Sequence, residues 1–240
     1  MKKITILLSL IIFTGLTIII PLFGMENTSC YAQEAEFEQK KSLLDKNSIK
    51  TLIPMIKDTS LDKGDPTSTL RSQAILNITR VNVSEEIVDT LVVTLIYLLE
   101  HDINDRVRSR AATTLGFLGD KKAVPFLNKA LEHPFVELRM EAAYALVKLG
   151  LEKDEKVFST LKDIVLGKDI ETWDIDALIS KEYYNEFAKR TKDGLRVLAI
   201  LRIVKIKEPK TKALLELMTK DPDDNLRAWA EKLLKEHFIK

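Results

Sequence analysis

Between Asp105 and Gly119 the apolar positions fall on one side of a helix. Val107, Ala111, Ala112, Leu115 and Leu118 stand at i, i+4, i+5, i+8 and i+11, a single stripe at helical period. Gly119 can take the left-handed conformation that ends such a helix, and Asp120 can cap the next one. That second helix turns Val124, Leu127, Ala130 and Leu131 to one face, with Pro125 near its start rather than its middle. A Gly-Asp turn this short makes the two helices antiparallel neighbours. Neither can bury its stripe alone.

The same pattern returns 31 residues later. Val107 maps onto Leu138, Arg108 onto Arg139, Ala111-Ala112 onto Ala142-Ala143, Leu115 onto Leu146, Leu118 onto Leu149 and Gly119 onto Gly150. A step of 31 recurs from Leu195-Arg196 and Ala199 to Leu226-Arg227 and Ala230, and Leu70-Arg71 with Ala74, Ile78 and Val81 supplies an upstream copy. Fixed periods of this size predict a solenoid, an all-α superhelix of antiparallel helix pairs, with about five repeats over residues 33–240 and a right-handed course. Glu36 to Asp45 and Ser48 to Ile56 can form its first hairpin, and a polar last helix over about 223–240 would close the core against water.

One interval breaks the rhythm. From Leu138 to Leu195 is 57 residues, so about 26 extra residues fill the region 168–192. They hold Trp173 among acidic residues, then Tyr183, Tyr184 and Phe187. Ile179, Tyr183 and Phe187 have helical spacing, which predicts an extra helix packed on the array. Insertions in repeat arrays gather on one face, often the binding face, whereas aromatics at this spacing are also ordinary core residues.

The repeats resemble HEAT repeats, particularly the short HEAT-like repeats of the phycobilin-lyase type. The matching residues are Asp105-Arg106-Val107-Arg108, then Leu115 through Gly119-Asp120, then Ala123-Val124-Pro125 and Leu127. The pattern survives as Asp193-Gly194-Leu195-Arg196 and Asp224-Asn225-Leu226-Arg227, while Val136 and Ser68 stand where the aspartate is expected. The resemblance implies a structural role for the recurrent pair. Asp105, Asp193 and Asp224 sit at positive helix ends and can cap them, and Arg108, Arg139, Arg196 and Arg227 can reach acidic groups or free carbonyls of neighbouring helices. An anion-binding stripe is the alternative reading of the four arginines. The lyase resemblance also raises an enzyme or chromophore carrier with its site at the insertion, although a repeat scaffold does not by itself specify a reaction.

The first thirty residues are a separate object. Lys2 and Lys3 precede an uncharged apolar run that lasts until Glu26, and Cys30-Tyr31-Ala32 resembles a small-x-small cleavage site. An export signal ending at Ala32 follows, with an uncleaved anchor or lipidation at Cys30 as alternatives. Each places the body outside the cytoplasm, in the periplasm or extracellular space. Cys30 is the single cysteine, so cleavage would leave neither a disulfide nor a thiol nucleophile. Taking Lys2, Lys3 and Glu26 from the 37 basic and 36 acidic residues leaves the two signs balanced, which argues against a nucleic-acid partner.

Little chemistry stands out in the rest. No HExxH, GxSxG, P-loop or GxGxxG occurs. His101 and His133 both close a Leu-Glu-His run, where an imidazole can face free carbonyls at a helix end, and His237 lies in the last helix. The acidic clusters at Asp62/Asp65, Asp174/Asp176 and Asp221/Asp223/Asp224 read as turns and caps, and Asn77-Ile78-Thr79 and Asn82-Val83-Ser84 are formal glycosylation sequons. No cofactor or metal site is expected. The expectation is a monomeric, non-enzymatic scaffold for another protein, touching membrane only through residues 1–32 if they persist; the third possibility is a membrane-anchored accessory subunit. Candidate contact residues are Trp173, Tyr183 and Tyr184 in the insertion. Along a groove lined by the second helices they are Thr94, Asn128, Glu132, Lys162 and Asp163. Mass spectrometry of the mature chain is expected to place its N-terminus at Gln33; an intact Met1 terminus would show that the leader is retained.

Overall fold

A computed structural model describes residues 43–239 apart from 45, 63–68, 81, 169 and 171–180. All of these belong to one compact unit, Lys41–Lys240. Residues 1–32, with Cys30, lie outside the described residues, as do Trp173 and most of the expected first helix of the N-terminal hairpin. Among the described residues no helix is long and apolar enough to cross a membrane.

The apolar stripes become helix faces. In chain order the helices are α1 (Lys46–Lys57), α2 (Thr69–Asn77), α3 (Glu85–His101), α4 (Asp105–Leu118), α5 (Val124–Ala130), α6 (Val136–Lys148), α7 (Glu155–Val165), α8 (Lys181–Ile203), α9 (Pro209–Met218) and α10 (Asp224–His237). The even-numbered helices are the first helices of the repeats and the odd-numbered ones the second. Two short strands that periodicity did not announce, β1 (Leu43–Leu44) and β2 (Asn82–Val83), pair in parallel. Otherwise the fold is the expected all-α solenoid.

Val107, Ala111, Ala112 and Leu115 of α4 are fully buried, as are Leu138, Ala142, Ala143 and Leu146, their counterparts one step along in α6. They share a core that runs from Ile56 to Leu234, and Ile49, Ile78, Ile87 and Leu91 form a smaller cluster towards the N-terminal end. Gly119, at φ 77°, ends α4 in the left-handed region, and its N–H returns to the Leu115 carbonyl. Asp120 accepts from the Lys122 N–H, but the helix it opens begins as a 3₁₀ turn (Lys121–Ala123) before α5 takes over with Pro125 in its first turn.

First helices make the tight row. Helices α4 and α6 share the most extensive contact among the described elements, whereas the second helices α3 and α5 touch far less. Small side chains permit this approach: a Cβ on Gly116 would lie 2.6 Å from the Ala145 Cα. The Thr114 hydroxyl donates across the same row to the Ile75 carbonyl of α2 (3.2 Å). The step is therefore shortest on the first-helix side.

The insertion corrects one expectation. Its second half is not a separate helix. Helix α8 runs without interruption from Lys181 to Ile203, so residues 181–192 continue into the repeat helix that carries Arg196. Gly194 lies inside that helix, and a Cβ there would meet nothing within 4 Å.

Substituting Gly116→Ala raises intrinsic helix propensity by about 1 kcal/mol, but overpacking against backbone typically costs about 1–3 kcal/mol. The expected net outcome is a lower urea midpoint for the full chain. A raised midpoint would show that α4 and α6 can separate freely.

Candidate functional site

Polar groups enter this helical core at two kinds of place: the junctions between repeats and the face of the first helices.

At the junctions one arginine recurs. Arg71 of α2 is completely buried; its Nε donates to the Ile56 carbonyl of α1 (2.9 Å), and its guanidinium pairs with Asp102, just past α3. Arg196 of α8 repeats the arrangement, with Nε on the Val165 carbonyl of α7 (2.8 Å) and the guanidinium on Asp221 beyond α9. Arg108 of α4 reaches the Leu99 carbonyl of α3 (2.9 Å). Each therefore satisfies a carbonyl near the end of the preceding second helix, where backbone acceptors lack helical partners, and then ties that helix to the next junction. Arg139 donates to the His133 and Pro134 carbonyls (2.8 and 2.7 Å), and Arg227 to the Asp221 carbonyl (2.6 Å).

The recurring aspartates act differently from expectation. Asn104 caps α4 and Asp223 caps α10, one residue earlier than Asp105 and Asp224, and Asp193 lies inside α8. Asp105 and Asp193 instead face the arginine one turn on, at 3.4 Å from Arg108 and 3.7 Å from Arg196, and Asp224 pairs with Arg227. Aspartates at the start of α4 and α10 also favour the positive helix end without capping it. Arg71, Asp102 and Asp221 were not singled out as ladder members, although Leu70-Arg71 was visible as a repeat copy. The signal that finds them is the acidic residue that follows a second helix 31 or 25 positions after the arginine.

On the first-helix face, Glu141 of α6 is only 2% exposed. The Thr113 hydroxyl of α4 has two acceptors at 3.0 Å, the Ser109 carbonyl and Glu141 Oε2. Arg202 of α8 donates to Glu141 Oε1 (3.3 Å) and lies over the Tyr144 ring at 4.0 Å. One turn away, Glu137 lies 3.6 Å from Arg110. Burial raises the Glu137 carboxyl above its ordinary range, against the pull of Arg110. At the edge of the strip Phe117 remains 40% exposed, with the Lys148 ammonium 3.9 Å from its ring centre. Polar residues at i, i+4 and i+7 on successive first helices thus form one strip of alternating charge with aromatic rings beside it. Its residues lie among apolar repeat positions, so periodicity alone drew no attention to them.

The second-helix candidates do not converge. Thr94 is 4% exposed and faces inward, so it cannot line a groove: its position on α3 places it among Leu91, Leu95 and Leu98 in the core. Asn128 of α5 and Lys162 of α7 are half-buried. Glu132 is exposed and bonded to Lys156 (2.6 Å), which holds its carboxyl below the usual range. Asp163 pairs with Lys168 at 3.3 Å. Tyr183 and Tyr184 lie on the α8 backbone, but their side chains, like Trp173, lie outside the described residues. Nor are His101 and His133 equivalent. His101 is the exposed last residue of α3, its ring tilted 51° to that of Tyr97 at 5.0 Å, and Asp102 takes the junction position that His133 takes one repeat on. Among the described residues no three carboxylate, imidazole or thiol groups are placed to hold a metal ion.

Residues 92–178 match the family model described as HEAT repeats. No curated protein matches the chain.

Removing Asp102 would take a paired carboxylate from the fully buried Arg71 guanidinium. Asp102→Ala is expected to destabilise by about 3–5 kcal/mol, while Glu132→Ala, on an exposed pair, changes stability by less than about 1 kcal/mol. Chemical unfolding of the two variants checks the contrast; equal effects would show that the junction pair is dispensable.

Proposed function

We propose that the chain works as a non-catalytic scaffold holding a protein partner against the first-helix face, a reading supported by the match of residues 92–178 to HEAT repeats. The observation that carries this reading is the exposed edge of the strip, where Phe117 of α4 lies beside Lys148 of α6, above the charges of Glu137, Glu141 and Arg202. Replacing buried ion pairs with apolar residues is often neutral or favourable, so stability alone does not call for charge here. Charge of both signs with aromatic rings at its edge is the composition that gives a contact surface its register and its few strong anchors.

Phe117 is the proposed anchor. An aromatic ring with restricted freedom loses little entropy when a partner covers it. The compartment belongs to the same proposal: the apolar leader of residues 4–25 and the Cys30-Tyr31-Ala32 site support export to the bacterial cell envelope, with the leader cleaved.

A photo-crosslinking side chain at position 117 is expected to trap one discrete partner in the envelope fraction. The same probe at Val93, exposed on the second helix α3, is expected to trap none. Phe117→Ala is expected to weaken the purified complex by about tenfold or more. Adducts from position 93 alone would move the surface to the second helices, and the absence of adducts from either would remove the scaffold reading.

A further inference from the structure

Three junctions share one hydrogen-bonding plan. In each, a side chain just past a second helix accepts the N–H two residues ahead: Asn104 N–H to Asp102 Oδ1 (2.9 Å), Phe135 N–H to His133 Nδ1 (3.1 Å), and Asp223 N–H to Asp221 Oδ1 (3.0 Å). The same side chain meets the junction arginine of the preceding first helix, which is Arg71, Arg108 and Arg196 in turn. A carboxylate has two acceptor oxygens and can answer both donors. Two junctions use one. The middle junction uses an imidazole.

Neutral imidazole has a single acceptor nitrogen. If His133 Nδ1 takes the Phe135 N–H, then Nε2 carries the proton, 2.9 Å from the Arg108 Nη1 donor. In the other tautomer Nε2 accepts from Arg108 and an Nδ1–H faces the Phe135 N–H. Either way one donor is served. A second proton removes the last acceptor and adds a positive charge beside the guanidinium. The other charged groups around the ring do little to rescue it. Asp105 of α4 is the carboxylate that favours the charged form, with its Oδ1 3.7 Å from Nε2. Glu100 of α3 is bonded to Lys129 of α5, Glu132 to Lys156 of α7, and Arg139 of α6 donates to the His133 carbonyl. A cleft of about 260 Å³ lined by Leu99, Glu100, Arg108, Lys129, Glu132 and His133 gives solvent protons a route to the ring.

We propose that His133 is an acid-labile joint in the array: its protonation removes the one acceptor it can offer to Arg108 or the Phe135 N–H, loosening the α4–α5 repeat from α6 at a pH where the carboxylate joint at Asp221 still holds. Burial, then the Arg108 charge, depresses the His133 pKa below its ordinary value. The sign follows from that direction. Above about pH 6.5, the ordinary imidazole value, the stabilising contribution is fully present. As pH falls below this and through the folded-state value, the unfolded chain binds more protons and the contribution is lost. Asp221 follows the same sign, but in a lower pH range. Burial pushes it up, but the bonds from Arg196 and the Asp223 N–H outweigh this and hold it below the usual carboxylate range.

Thermal unfolding of the full chain between pH 7.5 and 5 tests the joint. The wild-type midpoint is expected to fall by about 2–4 °C. His133→Asp, which installs the carboxylate of the other junctions, is expected to abolish that fall, as is the non-titrating His133→Asn. The double variant His101→Gln, His237→Gln is expected to keep it. A fall that persists in both His133 variants would overturn the proposal, and so would a flat wild-type profile. If the variants do not fold, imidazole NMR of the wild type decides: His133 titrating below about 6.5 with simultaneous broadening of the Phe135 amide supports the joint. Titration of His133 at or above that value overturns it.

Discussion

The described helices depend on their neighbours to bury their apolar stripes, and between α4 and α6 the closeness of that neighbour is set at Gly116 and Ala145. Where α4 meets α6 there is no room for even one added carbon. The buried leucines and alanines of both helices owe their burial to this contact. A stack built this way holds together pairwise, so each step must be fixed locally.

The junction arginines supply that local fixing. One side chain satisfies a carbonyl of the preceding second helix through Nε and reaches the following junction through its guanidinium. The two acceptors come from different junctions and converge on one guanidinium, which is why a planar, multiply donating side chain suits the position better than lysine. Alanines and glycine let first helices approach, and arginine bonds each pair to the next. The polar strip on the same face then lies over the tightest part of the stack, with its charges held by Thr113 and Arg202 instead of by water.

The stack itself was legible in the sequence because burial recurs with the step: Val107, Leu115, Leu138 and Leu146 each mark a core face. Cap positions were less legible, since Asn104 and Asp105 are both good capping residues and only the backbone path decides between them. Thr94, placed on the groove by periodicity and the geometry of second helices, is buried because it falls on the inward side of α3. Glu141 and Arg202 escaped attention because they lie 61 residues apart, on either side of the interval where the rhythm breaks. The equivalence of His133 with two aspartates was hidden by chemistry. No pattern based on residue type pairs an imidazole with a carboxylate, although a shared hydrogen-bonding plan does.

Helix α8 ties the irregular segment to the regular one. Its residues 181–192 add about 18 Å of continuous helix at 1.5 Å per residue ahead of the turn that holds Arg196. The same helix carries Ile200 and Ile203 in the core and Arg202 against Glu141. Residues at the edge of the insertion and residues of the polar strip thus share one unbroken run of helical backbone.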